Sequence, residues 1–224
     1  MLQAIDDFSS THDFLISIGA HKANILSALT EKEKPKTVVE LGGYFGYSAI
    51  LFADTMRRSH PSVQDLRVWS LEKNAEFASI AEKLIDIAGL SGIVTVVVGS
   101  AEESLKTLKN EGKLVKADMV FLDHAEELYV ADFKACEELG ILREGSVVVA
   151  DNVVRPGAPK YRALVRGHPA LKSEGIRGLI QPGDLEVCLS LLILLLLTCE
   201  ANIWKDELEI SYVLSSDAVG DEIS

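Results

Sequence analysis

Five short apolar runs, alternating with stretches of helical periodicity, constrain this chain more than any other feature. The runs 37–41 (TVVEL), 67–71 (RVWSL), 95–98 (TVVV), 119–122 (MVFL) and 146–150 (SVVVA) are rich in β-branched residues, the pattern of buried strands. Helical periodicity occupies 48–56, 75–88, 103–110 and 129–138, and Ser100 and Glu103 open the third of these at capping-box spacing. Such alternation requires crossover connections. The expectation is therefore an α/β fold: a mostly parallel sheet with helices on both faces and ligands gathered at the carboxyl ends of the strands.

Before the first run, 2–15 and 21–29 read as two helices joined through Ser17, Ile18 and Gly19. Residues 1–34 would thus form a helical cover over the upper edge of the sheet. After the fifth run come a Pro- and Gly-rich loop (155–159), a short helix (161–165), a strand near 176–181 and a last strand beginning at Leu208 (LEISYVL). With 224 residues and no internal repeat, one domain is expected.

A net charge of −12 argues against a protein that neutralises phosphates along a nucleic acid, which needs clustered Lys and Arg. Cys136, Cys188 and Cys199 have neither the number nor the spacing of a disulfide framework or a zinc site. The start, MLQAIDDFSSTHDF, carries acids where a secretory signal carries bases. A monomer in the cytoplasm with a small-molecule partner is expected.

Directly after the first strand stands Glu40-Leu41-Gly42-Gly43-Tyr44-Phe45-Gly46-Tyr47-Ser48. The glycines allow a tight turn and close approach of a ligand to the backbone. The dinucleotide fingerprint G-x-G-x-x-G fails, because Tyr44 and Tyr47 stand where its second and third glycines belong. That disfavours a nicotinamide dehydrogenase. Glu72, at the end of the second strand, is placed to accept hydrogen bonds from both hydroxyls of a ribose. The bland alternative is an ordinary β-α turn with a solvated acid.

The fourth strand ends in Asp123-His124 and the fifth in Asp151-Asn152. Two carboxylates and an amide oxygen are the hard ligands Mg²⁺ prefers, with positions left for water or a vicinal diol. For either site alone the reading as a helix cap or a turn residue is favoured; two on adjacent rims favour the ion.

At these residues the chain resembles the catechol O-methyltransferase family. VELGGYFGYSA from Val39, the acid Glu72, DMVFLDH from Asp118 and GSVVVADNVVRPGAP from Gly145 carry the resemblance, which runs from about Ile16 to Ala170. It implies a Rossmann-like class I methyltransferase fold, with a seven-stranded sheet whose last strand is antiparallel. It implies that Ile18, Gly42, Tyr44 and Ser48 hold the methionine end of S-adenosylmethionine, with Glu40 bracing the loop and Glu72 taking the ribose. Ala101, Glu102 and His124 would border the adenine. Asp123, Asp151 and Asn152 would bind Mg²⁺, and Asn152 and Pro156 would meet the substrate. The implied reaction is direct methyl transfer to one hydroxyl of a catechol or similar vicinal diol.

Two departures from the family stand out. Ala125 and Glu126 follow the Asp-His pair where an aromatic and a lysine are usual, the lysine serving there as general base. A carboxylate is intrinsically a far weaker proton acceptor than an amine, so either Glu126 or a water takes that task, or Glu126 merely begins the next helix. An acid near the penultimate strand that meets the second catechol oxygen is represented by Gln181 or Glu186. Three readings remain: a catechol methyltransferase, a cation-dependent methyltransferase of another phenol, and a catalytically impaired homologue that binds S-adenosylmethionine.

Residues 187–205 separate GLIQPGDLE from the last strand with an apolar insert containing CLSLLILLLLTC, too short to span a bilayer. A helix lying on the surface or on a membrane, a partner-binding segment and the translation of an unspliced intron compete as explanations. The last is favoured, since Val187-Cys188 can be encoded by a common intron donor. His12, His21, His60 and His168 read as solvated, as does Lys22, a basic residue before the first strand.

Overall fold

The computed structural model describes residues 1–179 and 205–214. In chain order the elements are α1 (Leu2–Thr11), α2 (Gly19–Glu33), β1 (Thr37–Leu41), α3 (Tyr47–Ser59), β2 (Arg67–Glu72), α4 (Ala75–Ile87), β3 (Val94–Val98), α5 (Ala101–Asn110), β4 (Met119–Leu122), α6 (Tyr129–Glu138), β5 (Val147–Ala150), α7 (Pro159–Arg166), β6 (Leu171–Leu179) and β7 (Lys205–Val213). They build a seven-stranded sheet in the order β3-β2-β1-β4-β5-β7-β6. Pairing is parallel from β3 through β5, and β7 runs antiparallel between β5 and β6.

Successive strand residues point to opposite faces, which divides the core in two. Val38, Val68, Met119, Phe121, Val147 and Val149 pack with Leu26 of α2 and Phe52 of α3. Their neighbours Val39, Trp69, Val120 and Val148 pack with Leu105 of α5, Phe133 of α6 and Tyr161 of α7. Burial on both faces is why β1 and β4 have the bounds that their apolar runs predict.

α2 packs against α3 and β6 on one face. Three expectations are corrected. α1 stops at Thr11, not at 15: the Ser10 and Thr11 hydroxyls donate to the carbonyl of Asp7, and His12 leaves helical geometry with φ −123°. β6 begins at Leu171, five residues ahead of the predicted start at 176. Lys205 pairs with Leu179, so the last residue assigned to the insert belongs to the sheet. The rest of that insert lies outside the described residues. Among the described residues no helix is long and apolar enough to cross a membrane.

Candidate functional site

The loop between β1 and α3 crosses the ends of its neighbouring strands. Gly42 has φ +97°, and a Cβ there would lie 2.4 Å from the main-chain oxygen of Asp123, so glycine is what lets the β1 end approach the β4 end. Tyr44 also takes a left-handed φ, 43°. Its N–H donates to Glu72 Oε2 (2.8 Å), while the N–H of Asn74 donates to Glu72 Oε1 (2.7 Å). Glu72 therefore ties the loop to the end of β2, and each of its oxygens keeps a lone pair for a further donor. Asn74 then caps α4 by accepting from the N–H groups of Glu76 and Phe77. Beneath the loop Glu40 is fully buried, and the Ser70 hydroxyl donates to it. Burial pushes its carboxyl up to about 7, against the opposing pull of Ser48 and Ser70.

The acidic rim forms next to it. Asp123 follows β4 and Asp151 follows β5. Desolvation, together with the charges of Asp151 and Glu40, raises Asp123 well above the ordinary carboxylate range. Burial raises Asp151 as well, although Lys22 works against it. Asn152 turns the chain at φ 55°, a conformation asparagine tolerates better than most residues.

Lys22 overturns its reading as part of a soluble face. It is 1% exposed, and its ammonium donates to Asp151 Oδ1 and, at 2.7 Å, to Asp206 Oδ2. Burial disfavours its charge, but Asp151 and Asp206 outweigh burial and raise its pKa above the usual value. Asp206, also fully buried, accepts from Asn152 Nδ2 (3.2 Å) and from the N–H groups of Val154 and Arg155 (3.0 Å each). Local sequence carries no signal for this network, because its members come from α2, the turn after β5, and β7.

A cavity of about 370 Å³ opens between the glycine loop and the acidic rim, a size suited to a small ligand. Of the residues predicted for the site, Ile18, Gly42, Tyr44, Ser48, Glu72, Asp123, His124, Asp151 and Asn152 line it together. Lys22, Tyr47, Phe77 and the exposed Phe14 and Ile16 also line it and were not predicted. His124 is held by Asp132, with Nε2 2.6 Å from Oδ2.

Other predicted residues fall outside the lining. Ala101 and Glu102 form the first turn of α5, where Glu102 is exposed and pairs with Lys106. Pro156 is exposed on the wide turn Val153–Gly157. Glu126 is half-buried and begins a single 3₁₀ turn, Glu126–Leu128. Gln181 and Glu186 lie outside the described residues. Among the described residues no group of three or more His, Cys, Asp or Glu side chains stands together as an ion site; the predicted set has two carboxylates and an amide.

Residues 7–160 match the family model described as O-methyltransferase. The chain is 41% identical over 150 residues to a catechol O-methyltransferase of Sus scrofa, covering 67% of this chain and 77% of that protein. It is 36% identical over 168 residues to a catechol O-methyltransferase of Bos taurus, covering 75% of this chain but only 60% of that protein. Among solved structures, the O-methyltransferase TomG from Streptomyces achromogenes, in complex with SAM, superposes with a TM-score of 0.73 at 21% identity, covering 96% of this chain and 89% of that one. At that identity the likeness speaks for the fold.

Proposed function

The chain belongs to the O-methyltransferase family, and from that premise we propose that it transfers the methyl group of S-adenosylmethionine to one hydroxyl of a catechol or similar vicinal diol, with Mg²⁺ as the second cofactor. One observation carries the reading: the glycine loop with Glu72 and the rim of Asp123, Asp151 and Asn152 line a single cavity. Donor nucleoside and acceptor hydroxyl would then meet in one place, where orientation contributes much of the rate.

The donor set fits a divalent cation. Asp123 and Asp151 stand in surroundings that disfavour their charges, which a bound cation would relieve. Asn152 gives its amide nitrogen to Asp206, leaving its oxygen as an acceptor. A cation held by these three residues supplies the positive charge that lets an aryl hydroxyl ionise near neutral pH. Ile18, Tyr44 and Ser48 would hold the methionine end of the cofactor, and Glu72 would take the ribose with its remaining lone pairs. The cofactor would supply a methyl group on sulfur; a hydroxyl oxygen held at this rim would displace the sulfur from the methyl carbon, and its proton would pass to Glu126 or to water. The reading includes a reducing, cytoplasmic compartment, in keeping with the free thiol of the buried Cys136.

The test is methyl transfer to catechol with Mg²⁺, after EDTA, and after Mg²⁺ is restored. Activity lost and regained is the expected result, while transfer indifferent to EDTA would remove the metal from the reading. A second reading, a catalytically impaired protein that binds S-adenosylmethionine, is favoured by Glu126, which stands where the resemblance expects lysine and outside the cavity lining. Calorimetric binding of the cofactor without turnover on any diol or phenol would select it.

A further inference from the structure

We propose that Asp206 and Lys22 are positioning residues: together they hold Asp151 and Asn152 in a geometry that receives a divalent cation before any ligand arrives. The inference rests on the metal reading above but concerns residues outside the predicted ligand set.

Asp206 is an anchor and not a fourth ligand. Its Oδ1 accepts the N–H groups of Val154 and Arg155, and its Oδ2 accepts Lys22 Nζ and Asn152 Nδ2. Four donors match the capacity of an ionised carboxylate, so it has little left for an ion. Its effect falls on its neighbours. By taking the Asn152 nitrogen it fixes which end of that amide is free to act as an acceptor. By binding two successive main-chain N–H groups it holds the turn that follows Asn152. On Asp151, both hydrogen bonds, from Lys22 Nζ and from the N–H of Asn152, fall on Oδ1, so Oδ2 is the oxygen available to a ligand.

Lys22 completes the device because its one ammonium bridges two buried carboxylates, tying the ligand Asp151 to the anchor Asp206. The fold makes room for its stem. A Cβ at Gly178 in β6 would lie 2.7 Å from Lys22 Cγ, and Gly178 is paired in register with Asp206. The hairpin thus delivers the carboxylate on one strand and the space for the lysine on the other. Groups of this kind, bonded to ligands and not to the ion, tune affinity by about 10- to 100-fold.

The experiment uses the full chain and measures Mn²⁺ binding by electron paramagnetic resonance, S-adenosylmethionine binding by calorimetry, and kcat and KM for catechol separately. Asp206→Asn should weaken Mn²⁺ by about 10- to 100-fold while cofactor affinity is kept. Gly178→Ala, which retains every charge and displaces only the lysine, should weaken Mn²⁺ in the same direction. In both variants raising Mg²⁺ should recover kcat. Unchanged Mn²⁺ affinity in a variant that still binds the cofactor overturns the proposal. If Asp206→Asn does not fold, Gly178→Ala decides alone. Should the wild-type chain bind no Mn²⁺, the metal reading fails and takes this inference with it; wild-type binding with unaltered variants sinks the inference only.

Discussion

Glu40 is the residue whose chemistry most directly sets a pH dependence. Its pKa of about 7 in the folded protein, against 4.5 for an ordinary glutamate, means that between those values the folded state holds a proton that the unfolded state has released. Stability from this group is therefore fully present below the lower pKa and falls as pH rises, the loss being complete above the upper one. At 1.36 kcal/mol per unit the loss is about 3 kcal/mol. Glu40→Gln keeps an oxygen for Ser70 and should flatten that fall. Urea denaturation of the ligand-free protein at pH 5 and pH 8 checks it, and parallel pH profiles for the two proteins would clear Glu40 of the effect. Gly42 offers a steric prediction. Gly42→Ala forces a methyl against the Asp123 carbonyl from a left-handed backbone, and should cost about 3 kcal/mol and abolish cofactor binding. An unaltered denaturation midpoint would mean that the β1 and β4 ends do not meet as described. Gly42 was legible because its chemistry is local, a glycine at a strand-to-helix turn. Lys22 was not: lysines are seldom buried, and what buries this one arrives from residues 151, 178 and 206.

Elements were legible in proportion to how completely the sheet buries them. β1, β4 and α6 match their sequence bounds because each has an apolar pattern bounded by loops. β6 extends beyond its sequence bounds for the opposite reason. It is an edge strand in which Lys172 and Glu174 are exposed and Gly175 and Gly178 interrupt the pattern, so its first half reads as loop. Pairing between β6 and β7 continues to Leu179 opposite Lys205, and Asp206 is the first residue beyond that pair. Replacing residues 182–203 with a short Gly- and Asn-containing turn keeps every described pair of the hairpin. The shortened chain should give more soluble protein, because an apolar run of this kind favours association, and it should retain cofactor affinity. If shortening instead lowers the soluble yield or removes cofactor binding, the segment belongs to the fold, and a transcript that retains its codons would agree.

Charge acts over the whole molecule. The chain carries a net −12, and the described cavity lining contributes Glu72, Asp123 and Asp151 against one cation, Lys22, whose ammonium is already shared by Asp151 and Asp206. A Mg²⁺ ion would offset the rim itself, since two positive charges and Lys22 balance Asp123, Asp151 and Asp206. What an approaching acceptor meets is then the acidic exterior together with Glu72 and Glu126. Such a field would suit a sulfonium donor, draw in a diol with a cationic side chain and repel one with a carboxylate. Focused fields of this kind change encounter rates by about tenfold or more and are screened over roughly 10 Å at 0.1 M salt. With the metal saturating, kcat/KM should therefore favour a cationic diol over a carboxylated diol of the same ring at low ionic strength. The ratio should shrink as KCl is raised, through KM more than kcat. A preference that salt leaves untouched would locate the discrimination in direct contacts at the cavity, with the acidic exterior playing no part.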